Sequence, residues 1–154
     1  MADCVIQINA TASTTTPVSG STALKSCEVN EIIYPSKHIA GKNCLVQATF
    51  CNMLTDKPLA DANRLDTYLH FDFSLNSIWS QIYNKTNFPQ MQPVLGVKEL
   101  RYNRYQPTGP RIVRIPDGPT TIRFRCFTPN NVAMTAADSA APVLTVVLHI
   151  VPIE

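Results

Sequence analysis

The sequence predicts an all-β fold: an eight-stranded antiparallel jelly-roll sandwich with one short helix, formed by residues 1–154 as a single domain. Three observations indicate this fold. Apolar residues recur with a period of two, which is the period of a half-buried strand. The twelve prolines fall almost wholly between the apolar segments or at their ends, where an antiparallel chain tolerates them. Eight such segments can be counted, which is the strand number of a jelly roll.

The first half of the chain contains four predicted strands. Residues 3–11 and 24–34 are separated by the polar segment "TTTPVSGST", which is typical of a turn. After "GKN", residues 43–54 are rich in apolar and small residues, which favours a strand buried on one face and partly on the other. After "TDKPLADAN", residues 66–75 alternate most regularly, with four apolar side chains on one face and polar ones on the other.

The segment "NSIWSQIYN" at 76–84 departs from the strand period. Its apolar residues lie at helical spacing, and Asn76 or Ser77 is suited to cap the first turn. It therefore predicts the one short helix. This helix either closes one end of the sandwich or presents Trp79 as a contact surface.

The second half contains four more predicted strands, at 94–103, 110–115, 120–127 and 143–151. The segments "YQPTGP" and "PDGP" separate them, because glycine allows positive φ and proline cannot donate a ladder hydrogen bond. The last strand, within "VLTVVLHIVPI", is β-branched and almost continuously apolar, as a central strand is. An immunoglobulin-like sandwich is the alternative fold, although it usually has seven strands.

The composition excludes several classes of protein. Only 16% of residues are charged and the net charge is +2, with no basic tail, so direct binding of nucleic acid is not expected. A low charge content suits a surface covered by partners, or a neutral surface rich in Ser, Thr and Asn. We expect no secretory signal and no transmembrane segment, because no apolar run reaches the ~18 residues needed to span a bilayer. The five cysteines lack any C-x-x-C spacing, which favours mostly buried thiols in a reducing compartment over one or two disulfides.

No motif for catalysis is present. The chain lacks G-x-S-x-G, a phosphate-binding glycine loop and H-E-x-x-H, so it is not predicted to be an enzyme, to hold a cofactor or to act on a small-molecule substrate. His70 and Asp72 have the spacing to share a metal ion with a third ligand such as His38 or Asp66, but a solvated His–Asp contact is favoured. His149 is interpreted as a hydrogen-bonded or interface histidine. No catalytic, cofactor-binding or metal residues are therefore predicted.

Basic residues are concentrated between 98 and 125, a segment with a net charge of +5. In "TIRFRCF", Arg123 and Arg125 share the face opposite the apolar residues. These arginines either contact another subunit, since the guanidinium group suits interface carboxylates and carbonyls, or are solvated or paired with scattered acids. The predicted interface residues are Trp79, Arg101, Arg104, Arg111, Arg114, Arg123 and Arg125.

Several segments together resemble the single-jelly-roll capsid proteins of icosahedral viruses. They are "CVIQINATAS", "YLHFDFSL" followed by "NSIWSQI", "RIPDGPTTIRFRCF" and "PVLTVVLHIVPIE", and the resemblance covers roughly 3–152. The chain looks most like the penton (vertex) or minor capsid proteins of large double-stranded DNA viruses. The resemblance implies a structural subunit of the virion shell that forms a homopentamer and contacts major capsid proteins. Such a subunit would be made in the host cytoplasm or nucleus.

A soluble β-sandwich binding module is the alternative function, either trimeric and ligand-like or carbohydrate-binding. A carbohydrate binder usually exposes aromatic side chains on one sheet face or loop, and Trp79, Tyr83, Tyr102 and Tyr105 are the candidates. A secreted ligand of the trimeric type is expected to carry a signal or a membrane anchor.

Overall fold

The computed structural model describes residues 3–64, 67–75, 94–100 and 103–153, which form two antiparallel sheets packed face to face and one short helix, α1 (Asp61–Arg64). The strands are β1 (Cys4–Thr11), β2 (Thr14–Pro17), β3 (Leu24–Ile33), β4 (Asn43–Leu54), β5 (Tyr68–Leu75), β6 (Val94–Glu99), β7 (Arg104–Pro107), β8 (Arg111–Arg114), β9 (Thr120–Phe127) and β10 (Val143–Pro152).

The strand pairing is that of a jelly roll. Apart from the short β2 and β7, the eight strands pair first with last: β1 with β10, β3 with β9, β4 with β8, and β5 with β6. The first half of the chain thus runs antiparallel to the second, as in one long hairpin rolled into two sheets. The sheets have the orders β1-β10-β4-β8 and β2-β3-β9-β5-β6-β7. The predicted fold class is confirmed, although the strands number ten rather than eight.

The two additional strands lie in segments that the sequence predicted as turns. All four residues of β2 are exposed, and β7 contributes one half-buried side chain, Tyr105. Such strands are held mainly by backbone pairing, so they carry no alternation of apolar and polar residues. The strand predicted at 94–103 was too long, because β6 ends at Glu99 and Asn103 adopts a φ of 51° in the following turn.

The core lies between the sheets and is built from the predicted alternation. The inward residues of β5, β9 and β10 are almost fully buried, and the rings of Phe71 and Phe124 stack at 5.9 Å across adjacent strands. These inward residues are Leu69, Phe71, Phe73, Leu75, Ile122, Phe124, Cys126, Leu144, Val146, Leu148 and Ile150. Burying each large apolar side chain contributes roughly 1.5–3 kcal/mol, so these three strands account for much of the sandwich's stability.

A bulge in β4 changes the phase of its buried residues. Ala48 pairs with Leu148 and Phe50 pairs with Val147, so Thr49 is the extra residue in the register, and its hydroxyl donates to the carbonyl of Val147 at 3.4 Å. Before the bulge the even-numbered positions point into the core, and after it Cys51 does. The extra residue therefore keeps both halves of this long strand on the core while it bends.

The predicted helix at 76–84 lies outside the described residues. The described helix, α1, begins inside the segment "TDKPLADAN", which the sequence predicted as a loop, and spans a single turn. Arg64 at its end contacts the carboxylate of Asp61 at 3.6 Å, and its guanidinium donates to the carbonyl of Leu100 at 3.1 Å. This turn is therefore held against the end of β6.

Candidate interaction surface

The two sheets differ in how much charge their strands carry. β1, β10 and β4 lie side by side with eight, ten and twelve residues, and none of these residues is Asp, Glu, Lys or Arg. In the other sheet, charged residues occur in β3, β5, β6, β7 and β9. Lys, Arg, Asp and Glu normally lie at exposed positions. Three adjacent strands without them, which still have one outward face, are therefore unusual, although the edge strand β8 of the same sheet carries two arginines.

The outward side chains of β1, β10 and β4 are apolar or polar and include no Asp, Glu, Lys or Arg, whereas Arg111 and Arg114 are exposed on the edge strand β8. Val5 on β1 is 62% exposed, and Ile112 on β8, at the opposite edge, is 65% exposed. We define the low-charge face as the outward residues of β1, β10 and β4, without Asn52, whose side-chain oxygen accepts from the buried Lys98. They are Val5, Gln7, Asn9, Thr11, Leu45, Gln47, Phe50, Leu54, Val143, Thr145, Val147, His149 and Val151.

His149 is the titratable residue within the low-charge face. Its Nε2 lies 3.1 Å from a carboxylate oxygen of Asp3, just before β1. This contact agrees with the interpretation of His149 as a hydrogen-bonded histidine. Asp3 therefore places a carboxylate at the rim of the low-charge face.

The edge of β1 is open for pairing. Among the described strands, β1 pairs with β10 alone, and its eight residues include neither lysine nor proline, which natural edge strands use against unwanted pairing. A groove of about 270 Å³ runs beside it, bounded by Ile6 and Ile8 on β1 and by Ile32, Ile33 and the charged Glu31 on β3. Ile32 is 61% exposed and the nearby Tyr34 is 77% exposed. This edge therefore adds exposed apolar side chains beside the low-charge face, together with one carboxylate.

Arg123 and Arg125, two of the predicted interface residues, lie on the outer face of the other sheet. The Nε of Arg123 donates to Glu28 at 2.6 Å. Arg125 donates from Nε and Nη2 to the two carboxylate oxygens of Asp72, at 3.2 and 2.7 Å. Its guanidinium also lies 4.5 Å from the centroid of the Phe127 ring. Both arginines are thus paired within the chain, and their contact with another subunit stays a prediction.

Asp72 is only 2% exposed although it lies on an outward position of β5. Burial raises the pKa of Asp72, and the hydrogen bonds and positive charge of Arg125 oppose that rise, with a smaller contribution from Arg123. An ionised carboxylate at this depth needs a compensating charge. The bidentate contact with Arg125 therefore has a structural role in this sheet.

The other predicted interface residues are spread over the molecule. Arg104 on β7 contacts Glu99 at 3.5 Å, and its side chain is 70% exposed. Arg111 and Arg114 are exposed at the two ends of β8, in the four-stranded sheet. Arg101 and Trp79 lie outside the described residues. As far as the chain is described, the predicted arginines divide between the two sheets and do not form one patch.

The residues considered for a metal site do not converge. His70 stacks on the ring of Phe127 at 5.5 Å, and burial lowers the pKa of His70. Asp72 is engaged by the arginine described above, His38 is exposed in a loop, and Asp66 lies outside the described residues. Within the described part of the chain, no three His, Cys, Asp or Glu side chains are placed to hold a metal ion.

All five cysteines are free thiols. Cys27, Cys44, Cys51 and Cys126 are buried and Cys4 is half-buried, which confirms the expectation of mostly buried thiols. Burial raises the pKa of Cys51 to about 12 and also raises the pKa of Cys126. Since the thiolate is the reactive form, these two groups are chemically inert in the folded protein.

Tyr105, a candidate for carbohydrate stacking, is held inside the sandwich. Its hydroxyl donates to the carbonyl of Ala48 at 2.9 Å and accepts from the thiol of Cys51 at 3.4 Å. Its ring packs edge-on against Phe71. The half-buried Tyr105 is therefore engaged within the chain through its hydroxyl and its ring, and the other three candidates, Trp79, Tyr83 and Tyr102, lie outside the described residues.

No protein-family model, curated protein or solved structure matches this chain. No helix in the described ranges is long and apolar enough to cross a bilayer. The function must therefore be argued from the chain's own surfaces.

The low-charge face is the feature that the sequence predictions missed. Its signal was present, since residues 43–54 and 143–152 contain no Asp, Glu, Lys or Arg. The charge content of the whole chain does not reveal these uncharged segments, because charged residues in the other segments raise the average. Only the strand order, which brings β1, β10 and β4 together, makes the three segments one surface.

Proposed function

We propose that this protein is a structural subunit of an icosahedral virus capsid, either a penton (vertex) or a minor capsid protein. It self-associates and contacts major capsid proteins, and it resides in the virion shell. The observation that carries the proposal is the low-charge face, on a fold that suits tiling. Because one fold hosts many functions, the proposal rests on the surface and not on the jelly-roll fold alone.

A subunit of a closed ring must present two different, complementary surfaces. The two outer faces of this sandwich differ in charge, so they supply two chemically different surfaces. One has uncharged β strands, whereas the other has the ion pairs of Arg123 and Arg125. The cores of protein interfaces are depleted of charged residues, which favours the low-charge face as the more extensively buried contact.

The open edge of β1 supports the same proposal. An unprotected edge strand in a free monomer invites uncontrolled pairing and aggregation. A neighbouring subunit that covers β1 and the adjacent groove removes this hazard and buries Val5 and Ile32, both more than half exposed. The edge is therefore compatible with a chain that spends its functional life in contact with neighbours.

Sedimentation and native mass spectrometry across a concentration series test the proposal. We expect the wild-type chain to form a closed oligomer, a pentamer in the leading version. The double variant Val5→Lys with Ile112→Lys places two charges on exposed sites of the four-stranded sheet, and should weaken association at least tenfold, about 1.4 kcal/mol.

Val132→Lys is the matched control, because Val132 is 41% exposed but lies in the loop between β9 and β10. It should associate like the wild type. A wild-type chain that stays monomeric at every concentration contradicts the proposal. If that monomer binds glycans on an array, the binding-module alternative is supported instead.

A further inference from the structure

A cavity of about 250 Å³ opens at one end of the sandwich, and one of its lining residues is Leu54, at the margin of the low-charge face. It lies where β4 and β6 end, beside α1 and the loop that precedes β10. Its apolar walls include Met53, Leu59, Leu100 and Met134. Two cations, Lys98 and Arg64, also line it. This combination of an apolar cavity and convergent charge is typical of a small-molecule site.

Lys98 is buried to a degree that is rare for lysine. It is 7% exposed and lies opposite Leu69 in register, on the inner face of its sheet. Its Nζ donates to the side-chain oxygen of Asn52, and no carboxylate among the described residues forms an ion pair with it. Burial lowers the pKa of Lys98, the buried Cys126 opposes this shift, and the nearby positive charge of Arg64 lowers the pKa further. Among the described residues, the ammonium group therefore has no carboxylate to compensate its charge.

Arg64 adds to this imbalance. Its Nη2 donates to the carbonyl of Leu100, and its Nη1 lies 3.6 Å from the fully exposed carboxylate of Asp61. A carboxylate in solvent compensates little of the repulsion inside the cavity, because exposed ion pairs are weak. An anion placed between the two cations would be attracted by both and would relieve their mutual repulsion.

We propose that this cavity binds a small carboxylate with a compact apolar body. The carboxylate contacts Lys98 and Arg64, and the body lies against Met53, Leu59 and Met134. A benzene ring is accommodated by cavities of about 150 Å³, so the observed volume suffices for an aromatic carboxylate. An inorganic anion would compensate the charges of Lys98 and Arg64 but would leave the apolar walls in contact with water. The proposal is independent of any role in a capsid, and a monomeric chain can meet it.

The test is a titration with benzoate, followed by the NMR signals of ¹³C-methyl-labelled methionine. The chain has four methionines, and two of them, Met53 and Met134, line the cavity. We expect saturable shifts of these two methyl signals, assigned with Met53→Leu and Met134→Leu. Benzyl alcohol, which has the same ring without the charge, and inorganic phosphate, which has charge without the ring, should each bind at least tenfold more weakly.

Lys98→Met keeps the length of the side chain and removes its charge. It should weaken benzoate at least tenfold while binding of benzyl alcohol is retained. Lys37→Met, at an exposed loop lysine, is the matched control and should bind benzoate like the wild type. Should Lys98→Met fail to fold, Arg64→Gln is the second variant and should also weaken benzoate. Absence of saturable shifts, equal binding of the three probes, or an unchanged affinity in the charge-removing variant overturns the proposal.

Discussion

At the scale of single residues, the clearest physical constraint is the pairing of Asp72 with Arg125. The carboxylate is almost fully buried on an outward position, and burial alone would favour its neutral form. The sequence predicted that both residues point outward, but it could not predict that they meet. That contact depends on β5 and β9 being neighbours in register, with Asp72 directly opposite Arg125.

Replacing Arg125 with alanine should destabilise the protein by about 3–5 kcal/mol, because a buried carboxylate is left without its partner. Arg123→Ala is the control, since its side chain is 47% exposed and a surface pair contributes about 0–1 kcal/mol. Urea unfolding at about pH 7 measures both changes. Equal losses in the two variants would contradict the structural role of Arg125. Association should accordingly be tested with Arg123→Ser alone, because replacing both arginines also perturbs folding.

The stability lost in Arg125→Ala should also depend on pH. The folded-state pKa of Asp72 is raised above its unfolded value, so the folded state binds more protons between the two values. This group's contribution to the free energy of unfolding therefore falls as pH rises through that window. Arg125→Ala removes the interactions that oppose the rise, so the pKa of Asp72 should be higher still in this variant. The stability difference between wild type and variant should be smaller at about pH 4 than at about pH 7. A difference that is constant with pH would contradict this linkage.

At the scale of elements, the main strands of the jelly roll were predictable because they bury a periodic set of apolar residues, as β5, β9 and β10 do, whereas the short β8 buries Val113 alone. β9 begins and ends where predicted, at Thr120 and Phe127. The short strands β2 and β7 were not predictable, because backbone hydrogen bonds between strands require no particular pattern of side chains. The packing of β7 depends on residues in two separate segments. The phenol group of Tyr105 lies over Gly96 on β6, where a Cβ would lie 2.3–2.5 Å from the hydroxyl and ring atoms of Tyr105. A glycine and a tyrosine nine residues apart are uninformative until the strands are paired.

Gly96→Ala should therefore destabilise the protein by about 1–3 kcal/mol, as overpacking does, by displacing the Tyr105 ring and its hydrogen bond to Ala48. The matched control is Gly109→Ala, where a Cβ has no neighbour within 4 Å. This control should be neutral, or more stable by up to about 1 kcal/mol through the unfolded state. Thermal and urea unfolding measure both. A neutral result for Gly96→Ala would mean that the ring does not hold β7 in place.

At the scale of the whole molecule, the sequence predicted the fold from periodicity but did not reveal the low-charge face, and the predicted arginine interface stays a prediction. The sequence predictions selected arginines as interface residues, whereas the structure contains a second candidate surface, the low-charge face. Arg123 and Arg125 already have partners within the chain. The low-charge face arises only when three segments far apart in the sequence become neighbours. Local patterns determine strands, but a surface is a property of the strand order.

The four buried cysteines provide a test of whether the two sheets share one cooperative core. Cys27 and Cys126 lie in the six-stranded sheet, whereas Cys44 and Cys51 lie in the four-stranded sheet, and all four are at most 1% exposed. We expect iodoacetamide to modify Cys4 first, in the native state. The other four thiols should then react together, at the rate of global unfolding, because neither sheet can expose its inner face alone.

Mass spectrometry of digested samples at increasing times measures the five rates separately. Cys4→Ser is the control, and the remaining four thiols should react in it with unchanged rates. If the proposed assembly covers β1, Cys4 should also become protected as the protein concentration rises, since it is the first residue of that strand. Reaction of Cys44 and Cys51 well before Cys27 and Cys126 would contradict a shared core. It would mean that the four-stranded sheet opens separately, and that the low-charge face is not a stable surface for contact with a neighbour.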